Sequence, residues 1–429
     1  MGSRSKTEYE DFSSKYRVSS FDYNKQYSHF YAHRLREMTS LLLTRVEEQW
    51  GSSHSVKKLC ELREDQTEQC IIIGTIYKHQ NHKPSILREI SEENQLAPQP
   101  PRKYYADLED KIILEDELQR VRLCGKVDGR YLASGVACAV LGCIEEDGRF
   151  VVKRILFYEA GPQKPMRNYC QGRKLVLISG IDYSQVHNYV DSLNLFQHWL
   201  CGNVSGNSCT GITRVIIAGN SARTSSEEQQ TTSLQARSTE NSGAVAALRT
   251  LDSWFACWSK SVFIDLMPGA HDPANFMLPQ QPFHKFMYPE SSQNASFRSV
   301  SNPYACALDS IQIVGCSGQN VHDLIRCTMI EQPLEALRST LVWGHIAPTA
   351  PDTLACYPFV NSDPFILYEC PHIYFAGNCD TFQTDLHKGP KGQITRLICI
   401  PSFCKTQSIA VVNLDSLDCK EIKFNIDSE

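Results

Sequence analysis

Five hydrophobic runs in this chain end in turns that carry small or polar residues, and those turns hold most of what could do chemistry. KLVLISGID ends in Gly180 and Asp182, RVIIAGN ends in Asn220 with Arg223 close behind, and VFIDLMPGAHD ends in Ala270, His271 and Asp272. TLVWGHIAPTAPDT contributes His345, and HIYFAGNCD ends in Asn378 and Asp380. Side chains from the ends of several strands are how α/β folds build a site. Carboxylates and imidazoles gathered there, with one carboxylate bridging, are the donors that a pair of divalent metal ions needs. Asp182 and Asp380 alone could hold a weak ion.

The order and spacing of these turns resemble the calcineurin-like metallophosphoesterases, whose pattern is D-x-H, G-D-x-x-D, G-N-H-D/E, a lone His and G-H-x-H. The resemblance implies that Gly180 and Asp182 stand where that family has its first Asp and His. It implies that Asn220 replaces the bridging Asp and Arg223 the second acidic position of that motif. Ala270 replaces an Asn ligand, and Asn378 and Asp380 replace the two final histidines. Only His271, Asp272 and His345 keep the family's residue type. A neutral amide at position 220 supplies no bridging charge, and Arg223 adds a cation beside it. The pattern therefore implies the fold without the catalysis: a degenerate site with no catalytic, cofactor-binding or metal-binding residue.

The elements that position these turns follow from periodicity. Tyr27, Tyr31, Leu35, Met38, Leu42 and Val46 recur every three or four residues and predict an amphipathic helix, stopped by Gly51 and packed on its own domain. From Cys70, the runs CIIIGTIYKH, KIILED, RVRLCGKVDG, GVACAVLGCIEEDG and RFVVKRILFYEA read as five short strands, which suggests a small Greek-key barrel such as an OB-fold. A polar, proline-ended loop, His79 to Lys103, interrupts them, and AGPQKP (Ala160 to Pro165) reads as a linker. Strand and helix then alternate: strands near Leu175–Ile178, Val215–Ala218 and Val262–Leu266, with helices over Val186–Leu200 and Ala244–Trp258. A late run of strands follows. Ser221 to Gly243 is nearly free of apolar residues and reads as a disordered surface insertion. The expected fold class is mixed α and β. A flexible N-terminus (1–23) leads to a helix plus OB-fold β-barrel (24–165), then to a domain of two packed sheets flanked by helices, phosphoesterase-like and inactive (166–429). SGQN (Ser317 to Asn320) is a fold or capping element; no Gly-Lys-Ser/Thr follows it, so it is not a phosphate-binding loop.

Composition removes several functions. The formal net charge is −5, with no run of five or more basic residues, so the electrostatic footprint of a protein that holds DNA by itself is missing. No stretch of about 18 apolar residues occurs, so no transmembrane helix is expected, and the polar start MGSRSKTEYEDF predicts no secretory signal. The 18 cysteines then belong to a reducing compartment, and with no C-x-x-C pair they read as buried thiols rather than disulfides or zinc ligands.

A barrel in front of an eroded phosphoesterase is a specific combination, and it resembles the B-subunits of the eukaryotic replicative DNA polymerases, the delta branch above all. The stretches that carry the resemblance are QYSHFYAHRL, YYADLEDKIILEDELQRVRLCGKVD, DPANFMLPQQPFHKFMYPE, NPYACALDSIQIVGCSGQNVHDLIR and HIAPTAPDTLACYPFVNSDPFI followed by ECPHIYFAGN. They span most of residues 24–425, and SGQNVHD and PTAPDTL are long enough to be specific. Membership implies a non-catalytic nuclear scaffold with no cofactor of its own. It would bind the cysteine-rich C-terminal domain of the polymerase catalytic subunit and the N-terminal domain of a third subunit. It would thereby help connect the enzyme to the sliding clamp, and members also resemble the accessory subunit shared with the translesion polymerase zeta. Contact with DNA would arise only within the complex.

Two other functions make different demands on the same residues. An active metallophosphoesterase or nuclease needs the missing carboxylates. An autonomous single-strand binder needs aromatics interleaved with basic residues on the barrel strands. Those strands offer mostly Ile, Val, Leu, Ala and Cys, with Tyr77 and Tyr131 as exceptions.

Overall fold

Alternating burial along short strands shapes most of this chain. The computed structural model describes residues 7–22, 24–63, 68–81, 83, 104–159, 161–166, 172–204, 209, 211–222 and 234–425, the side chains of 234–244 excepted. Two compact units result, one of residues 22–161 and 320–368, the other of residues 1–21, 162–319 and 369–429. The division is interleaved, in place of the single boundary expected at 165/166. One cut falls between Gly161 and Pro162, within AGPQKP, and residues 320–368 rejoin the first unit.

The expectation of a free N-terminus is corrected over the described residues. Strand β1 (Tyr9–Asp11) pairs antiparallel with Cys306–Leu308 in the second unit, and Tyr16 is fully buried. Ser13 ties the same segment down by donating its hydroxyl to the carbonyl of Ala305 at 2.9 Å.

The first unit begins with α1 (Tyr27–Trp50), which Gly51 ends by taking a positive φ and donating its N–H to the Glu47 carbonyl. The buried stripe of α1 is Phe30, Arg34, Met38, Leu42, Arg45 and Val46. This corrects the expected stripe in its first two turns, where Tyr27 and Tyr31 stay 36% and 39% exposed. Both stripes satisfy helical spacing, and an ion pair to a distant carboxylate, described below, buries the arginine that made the true one look polar. Strands β2 (Val56–Lys57), β3 (Cys70–His79), β4 (Lys111–Glu115), β5 (Arg120–Gly125), β6 (Ala137–Ile144) and β7 (Phe150–Leu156) form one sheet of order β2-β3-β4-β5-β7-β6, which a β3–β6 pairing closes. That closed five-stranded barrel is the expected Greek key. In β3 the alternation turns Ile72, Ile76 and Lys78 inward. The buried Lys78 ammonium lies 3.2 Å from both the Asp110 carboxylate and the Cys327 carbonyl. Met38 and Leu42 of α1 pack with Ala137 and Tyr158, and Val46 packs with Ile71, Ala139 and Leu141. The helix thus covers the barrel of its own unit. The long loop expected at His79 to Lys103 falls largely outside the described residues.

The second unit is built from β8 (Lys174–Ile178), α2 (Val190–Cys201), β9 (Ile212–Ala218), α3 (Leu234–Ser259), β10 (Phe263–Met267), β11 (Phe297–Ser299), β12 (Tyr304–Leu308) and β13 (Ile311–Cys316). The chain then contributes α4 (Gln319–Cys327) and α5 (Pro333–Trp343), almost wholly to the first unit. It returns with β14 (Ile373–Cys379), β15 (Gln383–Lys388), β16 (Ile394–Pro401), α6 (Phe403–Thr406), β17 (Ser408–Asn413) and β18 (Cys419–Lys423). One six-stranded sheet has the order β11-β10-β9-β8-β17-β18 and the other β1-β12-β13-β14-β16-β15. Alternation in β8 explains the layering. Leu175 and Leu177 enter a core shared by both sheets with Ile216, Ile313, Phe375 and Ile398. Val176 and Ile178 point the other way, to Phe196 and Trp199 of α2 and Phe255 and Trp258 of α3.

Part of the insertion expected at Ser221 to Gly243 lies outside the described residues (223–233), and the rest is corrected. Helix α3 begins at Leu234 rather than Ala244, in a polar run (LQARSTENSG) with no apolar stripe to announce it. The described cysteines are all free thiols, most of them buried, and only Cys60 among them is exposed. Burial pushes the Cys306 thiol up to about 12, as a small hydrophobe inside a core requires.

Candidate functional site

Strands β8, β9 and β10 run parallel, so their carboxyl ends deliver the turns at 179–182, 219–222 and 268–272 to one edge of the sheet. The ends of β13 and β14 bring Ser317 and Asn378 to the same place. The turns need left-handed backbone: φ is +60° at Gly180, +43° at Asp182, +55° at Asn220 and +56° at Asn378. Gly and Asn adopt that region at least cost, which gives the residue types at three of these positions a conformational reason. Space adds a second one. A Cβ at Gly180 would stand 2.8 Å from the Asn378 amide oxygen, and one at Gly269 would stand 2.4 Å from the Asn220 nitrogen.

The polar groups here bond to one another and to backbone. The Asp272 carboxylate accepts the N–H groups of Asn220 at 2.7 Å, Ala222 at 2.8 Å and Gly269 at 2.8 Å. Burial pushes its pKa up to about 6, and the backbone donors restrain the rise. The Asn220 amide oxygen accepts the His271 N–H at 3.0 Å. Asn378 donates its amide to the carbonyls of Ala218 and Ser317 at 3.0 and 2.8 Å and accepts nothing on its own buried oxygen among the described residues. Asp182 accepts the Ser184 hydroxyl at 2.5 Å, while its backbone N–H bonds to the Asn220 carbonyl. A second network, unannounced in the sequence except by the motif SGQN, extends this clamp. Asn302 donates to Gln280 and Ser317 and accepts the Ser317 N–H, and Gln280 donates to the Gly269 carbonyl at 2.9 Å.

The structure thus brings Gly180, Asp182, Asn220, His271, Asp272 and Asn378 to one strand-end cluster. Ala270 is exposed beside it. Asp380 turns out to the surface, its side chain 82% exposed and paired with Lys405 at 2.9 Å. Arg223 lies outside the described residues. His345 belongs to the other unit, where it is buried and its Nε2 meets the Asp363 carboxylate at 2.9 Å. Its Nδ1 accepts the Ala347 N–H, so the proton sits on Nε2 and the ring donates to Asp363. Among the described residues no group of three or more His, Cys, Asp or Glu side chains is placed to hold a metal ion. A two-metal centre does not fit this donor set: the one buried carboxylate of the third motif is taken up by three backbone N–H groups, and position 220 is a neutral amide. What the cluster does chemically is fasten the ends of five strands together.

Comparison with known proteins follows the same two parts of the chain. Residues 26–155 match the family described as DNA polymerase delta subunit OB-fold domain, and residues 175–384 match the B-subunit family of DNA polymerases alpha and epsilon. The chain is 58% identical over 431 residues to DNA polymerase delta subunit 2 of Drosophila melanogaster, with all of both chains covered. It is 36% identical over 428 residues to the DNA polymerase delta small subunit of Oryza sativa subsp. japonica, covering 98% of each. It is 28% identical over 452 residues to the DNA polymerase delta small subunit of Saccharomyces cerevisiae, covering 94% of this chain and 90% of that one. Barrel, sheets and strand-end turns all lie inside these alignments, and the chain belongs to the family of DNA polymerase delta small subunits.

Proposed function

We propose that this chain is the non-catalytic accessory subunit of a DNA polymerase delta, working in the nucleus as a scaffold in replication and repair. The observation that carries the reading is the end-to-end match to a delta subunit 2 at 58% identity. The scaffold would hold the cysteine-rich C-terminal domain of the catalytic subunit on one surface and a third subunit on another, and so link the enzyme to its sliding clamp. The same chain could serve the translesion polymerase zeta. Its second unit is best understood as a phosphoesterase-like fold that has given up its metals. Two features support this: the Asp272 carboxylate is turned inward onto backbone donors, and Asp380 pairs with Lys405 on the surface.

The non-catalytic half of the proposal has a direct test. The purified chain, with or without manganese, should hydrolyse neither a phosphodiester nor a phosphomonoester above a mock preparation. Asn220→Asp should stay equally inactive, since one restored carboxylate leaves the other ligands missing. Turnover that disappears in His271→Ala would refute it. The assembly half is tested by co-expression with the catalytic subunit's C-terminal domain.

A further inference from the structure

Helix α1 carries more apolar surface than its own unit uses. Its core stripe is spent on the barrel, but Tyr31 and Leu35 lie off that stripe and line a cavity of about 770 Å³ in the first unit. Tyr77 and Thr75, on the outer face of β3, form its floor. Glu115 at the end of β4, Asp116 and Glu117 in the turn after it, and Asp352 line it as well. Arg120 is the one cation among the lining residues, and it approaches Glu115 only to 3.6 Å. Asp352 pairs with Lys83 from outside the lining, and Asp116 spends its oxygens on the N–H groups of Leu59, Leu118 and Gln119. Glu117 is exposed and has no partner among the described residues. Burial raises the Tyr31 hydroxyl, Asp352 and Glu115 raise it further, and Arg34 works against them.

We infer that this cavity is a docking groove for a partner segment that carries Lys or Arg side chains around an apolar or aromatic one. Charge complementarity selects the occupant. Four carboxylates against two cations, Arg120 in the lining and Lys83 on Asp352, leave a negative excess around a tyrosine- and leucine-lined hollow. That excess favours a basic peptide and repels an acidic one, and opposed potentials of this kind set both partner choice and encounter rate. Tyr31, Leu35 and Tyr77 supply the burial that anchors such a segment, since interfaces draw most of their energy from a few aromatic or aliphatic pockets. The chemistry of the groove is independent of which complex the chain joins.

Binding of three fluorescein-labelled 12-residue peptides to the full-length chain, read by fluorescence anisotropy, tests this. The first alternates Lys with Leu and Trp, the second has Glu for Lys, and the third has Ser for Leu and Trp. The first should bind, and both controls should bind at least about tenfold more weakly. Glu117→Lys should weaken the first peptide about tenfold at low salt, an effect that fades as salt screens the charge. Tyr31→Ala should weaken it at every salt concentration. Glu146→Lys, the same charge change on the β6–β7 hairpin, should leave binding unaltered. Glu117 is exposed, so its variant keeps the fold, which circular dichroism melts verify. Several results would overturn the proposal: no binding of the basic peptide, equal binding of the acidic one, or equal losses in Glu117→Lys and Glu146→Lys. Self-association of the chain that Glu117→Lys abolishes would overturn it too, because a second copy would then be the occupant.

Discussion

Replacing Arg34 by Ala should destabilise the barrel unit by about 3–5 kcal/mol, the cost of breaking a buried ion pair by removing one partner. The Arg34 side chain is 1% exposed and that of Asp363 fully buried, and the guanidinium donates to the carboxylate at 2.7 Å. It also donates to the Pro348 carbonyl at 2.9 Å and lies over the Phe30 ring. Without it, Asp363 would keep, among the described residues, only the His345 ring and the Phe365 N–H as donors to a buried charge. Burial alone would raise the Asp363 carboxyl, but Arg34 and then His345 outweigh burial and hold it well below the usual carboxylate range. The folded pKa is therefore below the unfolded value of about 3.9. The stabilisation is present above about pH 4 and is lost as pH falls further, towards the folded value. Urea unfolding of the full chain should show the wild type and Arg34→Ala far apart at pH 7 and converging in acid. Arg34→Lys should fall between them, since an ammonium keeps the charge but not the planar fork. Coincident transitions at pH 7 would contradict the structural role given to this pair.

Asp272→Ala should cost on the order of 3 kcal/mol, because three buried N–H groups lose their acceptor at once and each unsatisfied donor costs about 1–3 kcal/mol before relaxation. The pH dependence runs opposite to that of Asp363. Burial lifts the folded pKa of Asp272 to about 6, above the unfolded value of about 3.9. Its contribution is fully present below about pH 4 and shrinks as pH rises through about 6. The gap between wild type and Asp272→Ala should thus be wider at pH 5 than at pH 7.5 in paired urea titrations. A gap that widens with rising pH would mean that the carboxylate is stabilised in its charged form, as a metal ligand would be.

How much of this could be seen in one dimension depended on the kind of signal. The five barrel strands were legible because each alternates or runs apolar between turn residues, as CIIIGTIYKH does in β3. β15 was not legible, because QTDLHK is a half-buried edge strand that pairs with β16 on one side and needs no apolar face. β12 was hidden inside a Pro- and Asn-rich stretch, where five buried residues in a row show no alternation. In α1 the sequence pointed to Tyr27, Tyr31 and Leu35, while the core took Phe30 and Arg34. An arginine becomes a core residue only because Asp363, more than three hundred positions away, neutralises it, and no local pattern carries that information. The turns at 180, 220 and 378 were legible as strand ends that carry small or polar residues; the positive φ that gives those residue types a conformational reason was not. His345 was not separable from them by order along the chain. Only the return of residues 320–368 to the barrel unit reveals that its partner is Asp363.

The chain's candidate catalytic positions are mostly bonded inward, and α1 keeps Tyr27 and Tyr31 exposed, the latter in a cavity lined with carboxylates. Co-expression with the C-terminal domain of a polymerase delta catalytic subunit, followed by size-exclusion chromatography in roughly 0.5 M salt, tests the scaffold reading most directly, because salt at that level screens exposed ionic contacts and leaves an apolar interface intact. The two chains should co-elute as one complex, and the small subunit should be more soluble than when expressed alone. Separate elution at low salt, with both chains folded, would contradict it.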